Sequence, residues 1–206
     1  MNLPSRLEAI RLLEEAEKLN PGPWVAHSKN VAVSARIIAD HHPRLDAEAA
    51  YIMGLLHDIG RREGITFIRH LIDGYNFLNS LGYDDAARIS ITHSFPIPDL
   101  DAYIGERDCS PQDLKFIENF INSTTLNDYD ILIQLCDSVS LPSGFCLLEK
   151  RIIDVAMRYG INAKSISSWQ ARFQIKEKFE NEIGCSIYQV LPGIIEGTFG
   201  FSMKDE

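Results

Sequence analysis

Residues 46–60 read DAEAAYIMGLLHDIG, and their reading decides the fold. Asp46 is a helix N-cap residue, AEAAYIMGLLHDI continues as a helix, and Gly60 suits a left-handed C-terminal position, so a helix ending at Gly60 is predicted. The stretch holds the longest apolar run of the chain, Ala49 to Leu56 broken only by Gly54. That run is far too short to span a bilayer. Its last turn places His57 and Asp58 side by side behind aliphatic residues, an expensive position for a charge.

Working outward, the pattern is helix after helix. Upstream, residues 5–19 carry an apolar stripe (Leu7, Ile10, Leu12, Leu13, Ala16) that ends at Asn20-Pro21-Gly22-Pro23. A second helix is predicted from Pro23 or Trp24 to His42, stopped by Pro43. Downstream, helices are predicted over about Thr66–Leu81, closed by Gly82, and from Asp84 or Asp85 to His93, with Pro96 and Pro98 preventing continuation. Residues 96–109 read as a loop. Ser110-Pro111 opens a sixth helix, and 128–141 (DYDILIQLCDSVSL) is apolar on most faces, as a central buried helix is. Helices at 145–159 and about 166–183, and a short one near 186–192, complete the chain. No strand alternation persists, so the predicted class is all-α, one domain over 1–206 with an N-terminal helix (5–19) and a C-terminal helical extension (145–206).

Composition narrows the function. The 206 residues are 45% hydrophobic and 24% charged, an ordinary globular balance. Lys and Arg total 20 against 29 Asp and Glu, a net charge of -9, and there is no basic stripe, which argues against binding of duplex nucleic acid. The N-terminus mixes both charge signs, unlike a secretory or transit peptide. A soluble, cytoplasmic protein with no membrane partner is expected. The four cysteines contain no C-x-x-C pair, so reduced thiols are expected rather than a zinc knuckle or disulfide scaffold. Neither a phosphate-binding glycine loop nor a G-x-S-x-G elbow is present.

Polar residues on apolar helix faces carry the remaining signal. His27 shares a stripe with Val31, Ala35 and Ile38; His57 follows Met53 by one turn, with Asp58 next to it. His70 lies three residues after Phe67 on a face that continues to Phe77 and Leu78; His93 follows Ala86 and Ile89; Asp137 stands among the aliphatics of 128–141. Any one alone is explained by hydrogen bonding in the core. Four imidazoles and two carboxylates together would need six separate satisfactions, which a single cluster of divalent metal provides at once. His41 and His42, before Pro43, are read as surface residues at a helix end.

The order His27, His57-Asp58 in LLHDIGR, and Asp137 in LIQLCDSVS resembles the HD superfamily of metal-dependent phosphohydrolases, over about residues 24–141. His70 in RHLIDGYNFL and His93 in ITHS fall where its dinuclear branches place ligands to a second metal. The resemblance implies an irregular helical bundle around one or two divalent transition metal ions (Fe, Mn, Co, Ni or Zn). Asp58 would be the bridging ligand, and metal-bound hydroxide would attack the phosphoester of a nucleotide or other small phosphorylated metabolite. If no second metal binds, His70 and His93 would contact phosphate or donate a proton. Asp73-Gly74-Tyr75-Asn76 lacks the Gly-Tyr-Pro of the branch that hydrolyses cyclic dinucleotides. An alternative within the superfamily is a dinuclear-iron oxygenase cleaving a C–C or C–P bond, and a non-catalytic signalling module is a third. For the phosphate, Arg61 is the first candidate, since relatives often carry Lys or Arg three residues after the Asp; Arg69 and Lys29 follow, and Arg62 is read as surface charge. The C-terminal third, aromatic but without a ligand-like cluster, is read as core packing, a homodimer surface or a cover for the site.

Overall fold

The computed structural model describes residues 1–201. Among these, eleven α-helices account for the architecture: α1 (Arg6–Leu19), α2 (Pro23–His41), α3 (Ala47–Leu56), α4 (Arg69–Ser80), α5 (Asp84–Thr92), α6 (Pro111–Ser123), α7 (Asp128–Val139), α8 (Leu148–Tyr159), α9 (Ser165–Ile183), α10 (Ile187–Val190) and α11 (Ile194–Phe199). The chain is all-α, and the one β element among the described residues is a hairpin of two-residue strands, Ser140–Leu141 against Gly144–Phe145. No helix among the described residues is long and apolar enough to cross a membrane.

The helices start where capping chemistry allows. Ser5 accepts from Glu8 N at 3.2 Å and Asp46 from Ala49 N at 2.7 Å. Ser110 and Asp113, and likewise Asn127 and Asp130, form reciprocal capping boxes. Each such cap satisfies backbone N–H groups that a helix leaves unbonded and contributes about 1 kcal/mol.

Packing centres on α2. Its small face lets α3 come close enough that a Cβ on Gly54 would stand 2.8 Å from the Ala32 Cα. One apolar cluster joins α2 and α7 (Val31, Ile38, Leu132, Cys136) to the C-terminal helices through Leu148, Phe179, Ile187 and Ile194. A second ties α1 to α3 and α5, and a third ties α4 to α6. Each fully buried leucine or isoleucine is worth about 1.5–3 kcal/mol of transfer free energy, so the C-terminal helices belong to the same core as the buried α7.

The structure departs from the sequence reading in five places. The helix of the opening stretch ends at Leu56, not Gly60. His57 is its C-cap residue, and Ile59–Glu63 form a 3-10 turn. Gly60 serves close packing rather than a left-handed cap: a Cβ there would collide with the His70 carbonyl and Gly74 N. The left-handed glycine that closes the turn is Gly64, at φ 129°. The next helix begins at Arg69 rather than Thr66, because the Asp108 carboxylate fixes the segment before it, accepting from Phe67 N at 2.7 Å and Arg69 N at 2.9 Å. The hairpin at 140–145 takes the residues where α8 was expected to start, and α11 follows α10 after a break at Pro192-Gly193. Lastly, His42 is buried, not a surface residue. It packs on Phe179 of α9, and its Nε2 lies 3.0 Å from Glu182 Oε2, while His41 stays exposed.

Candidate metal centre

Five elements deliver the six side chains singled out in the sequence. His27 comes from the first turns of α2, His57 and Asp58 from the C-terminal end of α3, His70 from the start of α4, His93 from the C-cap of α5, and Asp137 from the last turn of α7. The four histidines and Asp58 are buried, and Asp137 is partly so. His27 Nε2 lies 2.9 Å from Asp137 Oδ1, and His70 Nε2 lies 3.0 Å from Asp58 Oδ1. His93 Nε2 stands 3.7 Å from the same Oδ1, and His57 Nε2 3.8 Å from Oδ2. The His57 ring centroid is 5.3 Å from that of His27 and 4.9 Å from that of His93.

Three of the imidazoles are aimed by their own turns of chain. His57 Nδ1 donates to the Gly54 carbonyl at 2.7 Å, His93 Nδ1 to that of Ile89 at 3.1 Å, and His70 Nδ1 to that of Phe67. A carbonyl can only accept, so Nδ1 carries the proton and Nε2 presents its lone pair inward, the arrangement in which neutral histidine ligates a metal.

The electrostatics agree with that protonation. Burial pushes the His93 pKa down to about 3 and lowers that of His57 as well, so both are neutral at pH 7. Burial opposes ionisation of Asp58, but the Arg61 guanidinium leads the effects that outweigh it and hold the carboxyl well below its usual range. Asp137 is kept ionised in the same way, burial being outweighed by the hydrogen bond from His27.

These donors fit a divalent transition metal. Among the described residues, His57 Nε2, His70 Nε2, Asp58 Oδ1 and His27 Nδ1 are buried without a hydrogen-bond partner, a cost that folded proteins rarely accept four times in one place. Ligand atoms of His27, His57 and Asp58 lie within 4.8 Å of one another, as do those of Asp58, His70 and His93. Asp58 is common to both groups. Asp137 adjoins the first through His27. The mixed nitrogen and oxygen donor set suits Fe, Mn, Co, Ni or Zn better than Mg.

His27, Asp58, His70, His93 and Asp137 form the floor of a cavity of about 440 Å³, with His57 buried behind them. Arg61 lines it, with its Nε donating to Asp58 Oδ2 at 2.6 Å and its Nη1 to the Thr66 carbonyl at 3.2 Å. The structure does not bring Arg69 or Lys29 to this cavity. Arg69 precedes His70 by one residue, about 100° around the helix, and pairs outside with Asp73 at 3.2 Å. Lys29 follows His27 by two residues, about 200° around, and is exposed. Arg62 lies off the cavity too, over the Phe77 ring.

Sequence reasoning missed the arginines that do reach it. Arg151 and Arg158 of α8 line the cavity, and Arg172 of α9 lines a side pocket beside Asp137. The only signal for the first two is their seven-residue spacing, which sets them on one face of a helix.

Comparison with known proteins adds one result: the family description HD domain matches residues 24–141, more than half of the chain and the span that contains all six cluster residues. Neither the curated proteins nor the solved structures contain a significant match.

Proposed function

The chain belongs to the HD-domain family, and on that premise we propose that it is a metal-dependent phosphohydrolase acting on a phosphoester of a nucleotide or another small phosphorylated metabolite. The observation that carries this reading is the pairing of a floor of inward-facing Nε2 and carboxylate oxygen atoms with walls that hold Arg61, Arg151 and Arg158. Three guanidinium groups outnumber the two carboxylates, Asp58 and Asp137, in this lining, a local balance suited to an anionic substrate in a chain of net charge -9. When bound, a divalent metal supplies Lewis acidity toward phosphoryl oxygens and brings the pKa of a coordinated water near neutrality.

The residues divide the remaining work. His57, His70 and His93, each held through Nδ1, keep lone pairs directed at the floor. Arg61 fixes the Asp58 carboxylate through one oxygen and leaves the other facing the imidazoles. Arg151, with neither an ion pair nor a side-chain hydrogen bond among the described residues, leaves its donors uncommitted where the cavity meets the side pocket. Trp24, Phe67 and Tyr103 contribute apolar wall that limits water.

The test is to load the purified full chain with Mn, Fe, Co, Ni or Zn singly and to assay release of phosphate or nucleoside from a panel of mono- and diesters. Turnover that depends on the metal and disappears in Asp58→Asn supports the proposal. Oxygen uptake by the iron-loaded protein with no ester cleaved would replace it by the oxygenase reading.

A further inference from the structure

The chain has twelve arginines, and nine of them have a carboxylate oxygen within 4 Å, from Arg6 with Glu48 to Arg107 with Asp101. Among the described residues, the three without one are Arg151, Arg158 and Arg172, and all three line the cavity or its side pocket. A chain with 29 acidic residues has ample means to neutralise its guanidinium groups. Among the described residues, every arginine left without such a partner borders this space, where Arg61 alone is paired, with Asp58.

The side pocket, of about 150 Å³, opens off the main cavity, and Arg151 and Asp137 line both. Arg172 faces it from α9. Its Nε donates to Ser138 Oγ at 3.1 Å and its Nη1 to Ser168 Oγ at 2.5 Å, so neutral hydroxyls hold its direction without cancelling its charge. Arg151 enters from α8 at the junction of the two spaces. The Trp169 indole supplies an apolar wall. Asp137 is the one carboxylate in this lining, and its near oxygen is taken by His27. Two guanidinium groups facing one small space repel each other unless an anion lies between them, and two planar donor forks match the geometry of phosphoryl oxygens.

We propose that this pocket is a subsite for a second phosphoryl group of the substrate, held between Arg151 and Arg172. The substrate class is then a metabolite with two phosphoryl groups joined by its own skeleton, one above the metal floor and one in the side pocket. The assignment of the first group rests on the phosphohydrolase reading; the anion pocket itself does not.

Two measurements separate the two. The first is calorimetric titration of inorganic phosphate into the full chain after chelation, which reads anion binding without the metal. Wild type binds, and Arg151→Gln and Arg172→Gln each weaken binding at least about ten-fold, the scale of a charge-assisted hydrogen bond. Arg36→Gln, which removes a surface pair with Asp40, does not. The second is the ratio of kcat/KM for adenosine 3′,5′-bisphosphate over p-nitrophenyl phosphate with the metal-loaded protein; that ratio falls at least about ten-fold in either pocket variant. Arg151 makes no side-chain hydrogen bond or ion pair among the described residues, so Arg151→Gln decides the matter if Arg172→Gln does not fold. Phosphate binding that depends on the arginines, with no ester cleaved, would end the phosphohydrolase reading and keep the pocket. Ester cleavage with both the ratio and phosphate binding unaltered in the variants overturns the subsite.

Discussion

Arg61 takes one oxygen of Asp58 and leaves the other to the histidines: its Nε donates to Oδ2 at 2.6 Å, while Oδ1 faces His70 Nε2 at 3.0 Å. The carboxylate is thereby oriented and kept charged inside the protein, with one oxygen unbonded toward the floor.

Asp58→Asn tests both consequences. Elemental analysis of the variant should show less than about a tenth of the wild-type metal, because the residue common to both donor groups has lost its charge. The chelated variant should also unfold in urea about 1–3 kcal/mol more easily. Arg61 is left without its partner, and the usual cost of breaking a buried pair is reduced here because Arg61 is partly exposed. Full metal content in the variant would refute the assignment of Asp58.

The two donor groups predict a stoichiometry. Wild type loaded to saturation should hold about two ions per chain, and His70→Gln or His93→Gln about one, since each removes a donor from the second group only. Mass spectrometry under native conditions reads this directly. A wild-type ratio of one would reassign His70 and His93 to contact with substrate.

Gly60→Ala probes the contact between the 3-10 turn and α4. The added methyl has no room beside the His70 carbonyl and Gly74 N, both of them backbone, so the helix itself must move. A loss of about 3 kcal/mol in stability is expected, together with weaker metal binding, because His70 moves with its helix. An unchanged melting temperature would show that the approach is looser than it stands here.

The pH prediction concerns Glu182, away from the metal. Burial opposes its ionisation, but the hydrogen bonds from Lys178 and His42 prevail, with Arg44 assisting, and bring its pKa from 4.5 down to about 2. Asp128, which shares Lys178 and Arg44, is the like charge that faces this group. A carboxyl whose pKa is depressed by folding stabilises fully above its unfolded value and loses that contribution as pH falls. The stability gap between wild type and Glu182→Gln should therefore be widest above pH 4.5 and close as pH falls toward about 2. Urea unfolding at several pH values gives the gap, and a constant gap would contradict the argument.

Much of this was legible in the sequence, and the rest was hidden for identifiable reasons. Helices are local, so the stripes of α1, α2, α5 and α7 could be read from spacing and the caps at Asp46 and Ser110 from residue type. The six cluster residues were legible because each breaks an apolar face. Gly60 was misread because a glycine signals equally a left-handed cap and a close approach, and only the position of α4 decides between them. His42 looked terminal and solvated because the helix that covers it, α9, lies more than a hundred residues further along. Arg151 and Arg172 are ordinary charges on amphipathic helices. That they lack carboxylate partners is a property of the folded arrangement, and no window of sequence contains it.

The tethering of the imidazoles has a consequence for how the molecule can change. Gly54, Phe67 and Ile89 each sit three or four residues before the histidine they hold, so the direction of these donors is fixed by neighbours along the chain. The arginines of the side pocket belong to a later stretch, past the end of the family match at residue 141. Under the proposed function and subsite, what is done to a bond and which molecule presents that bond would be encoded in separate lengths of polypeptide. Drift in α8 and α9 would then retune selectivity while the metal cluster is inherited intact.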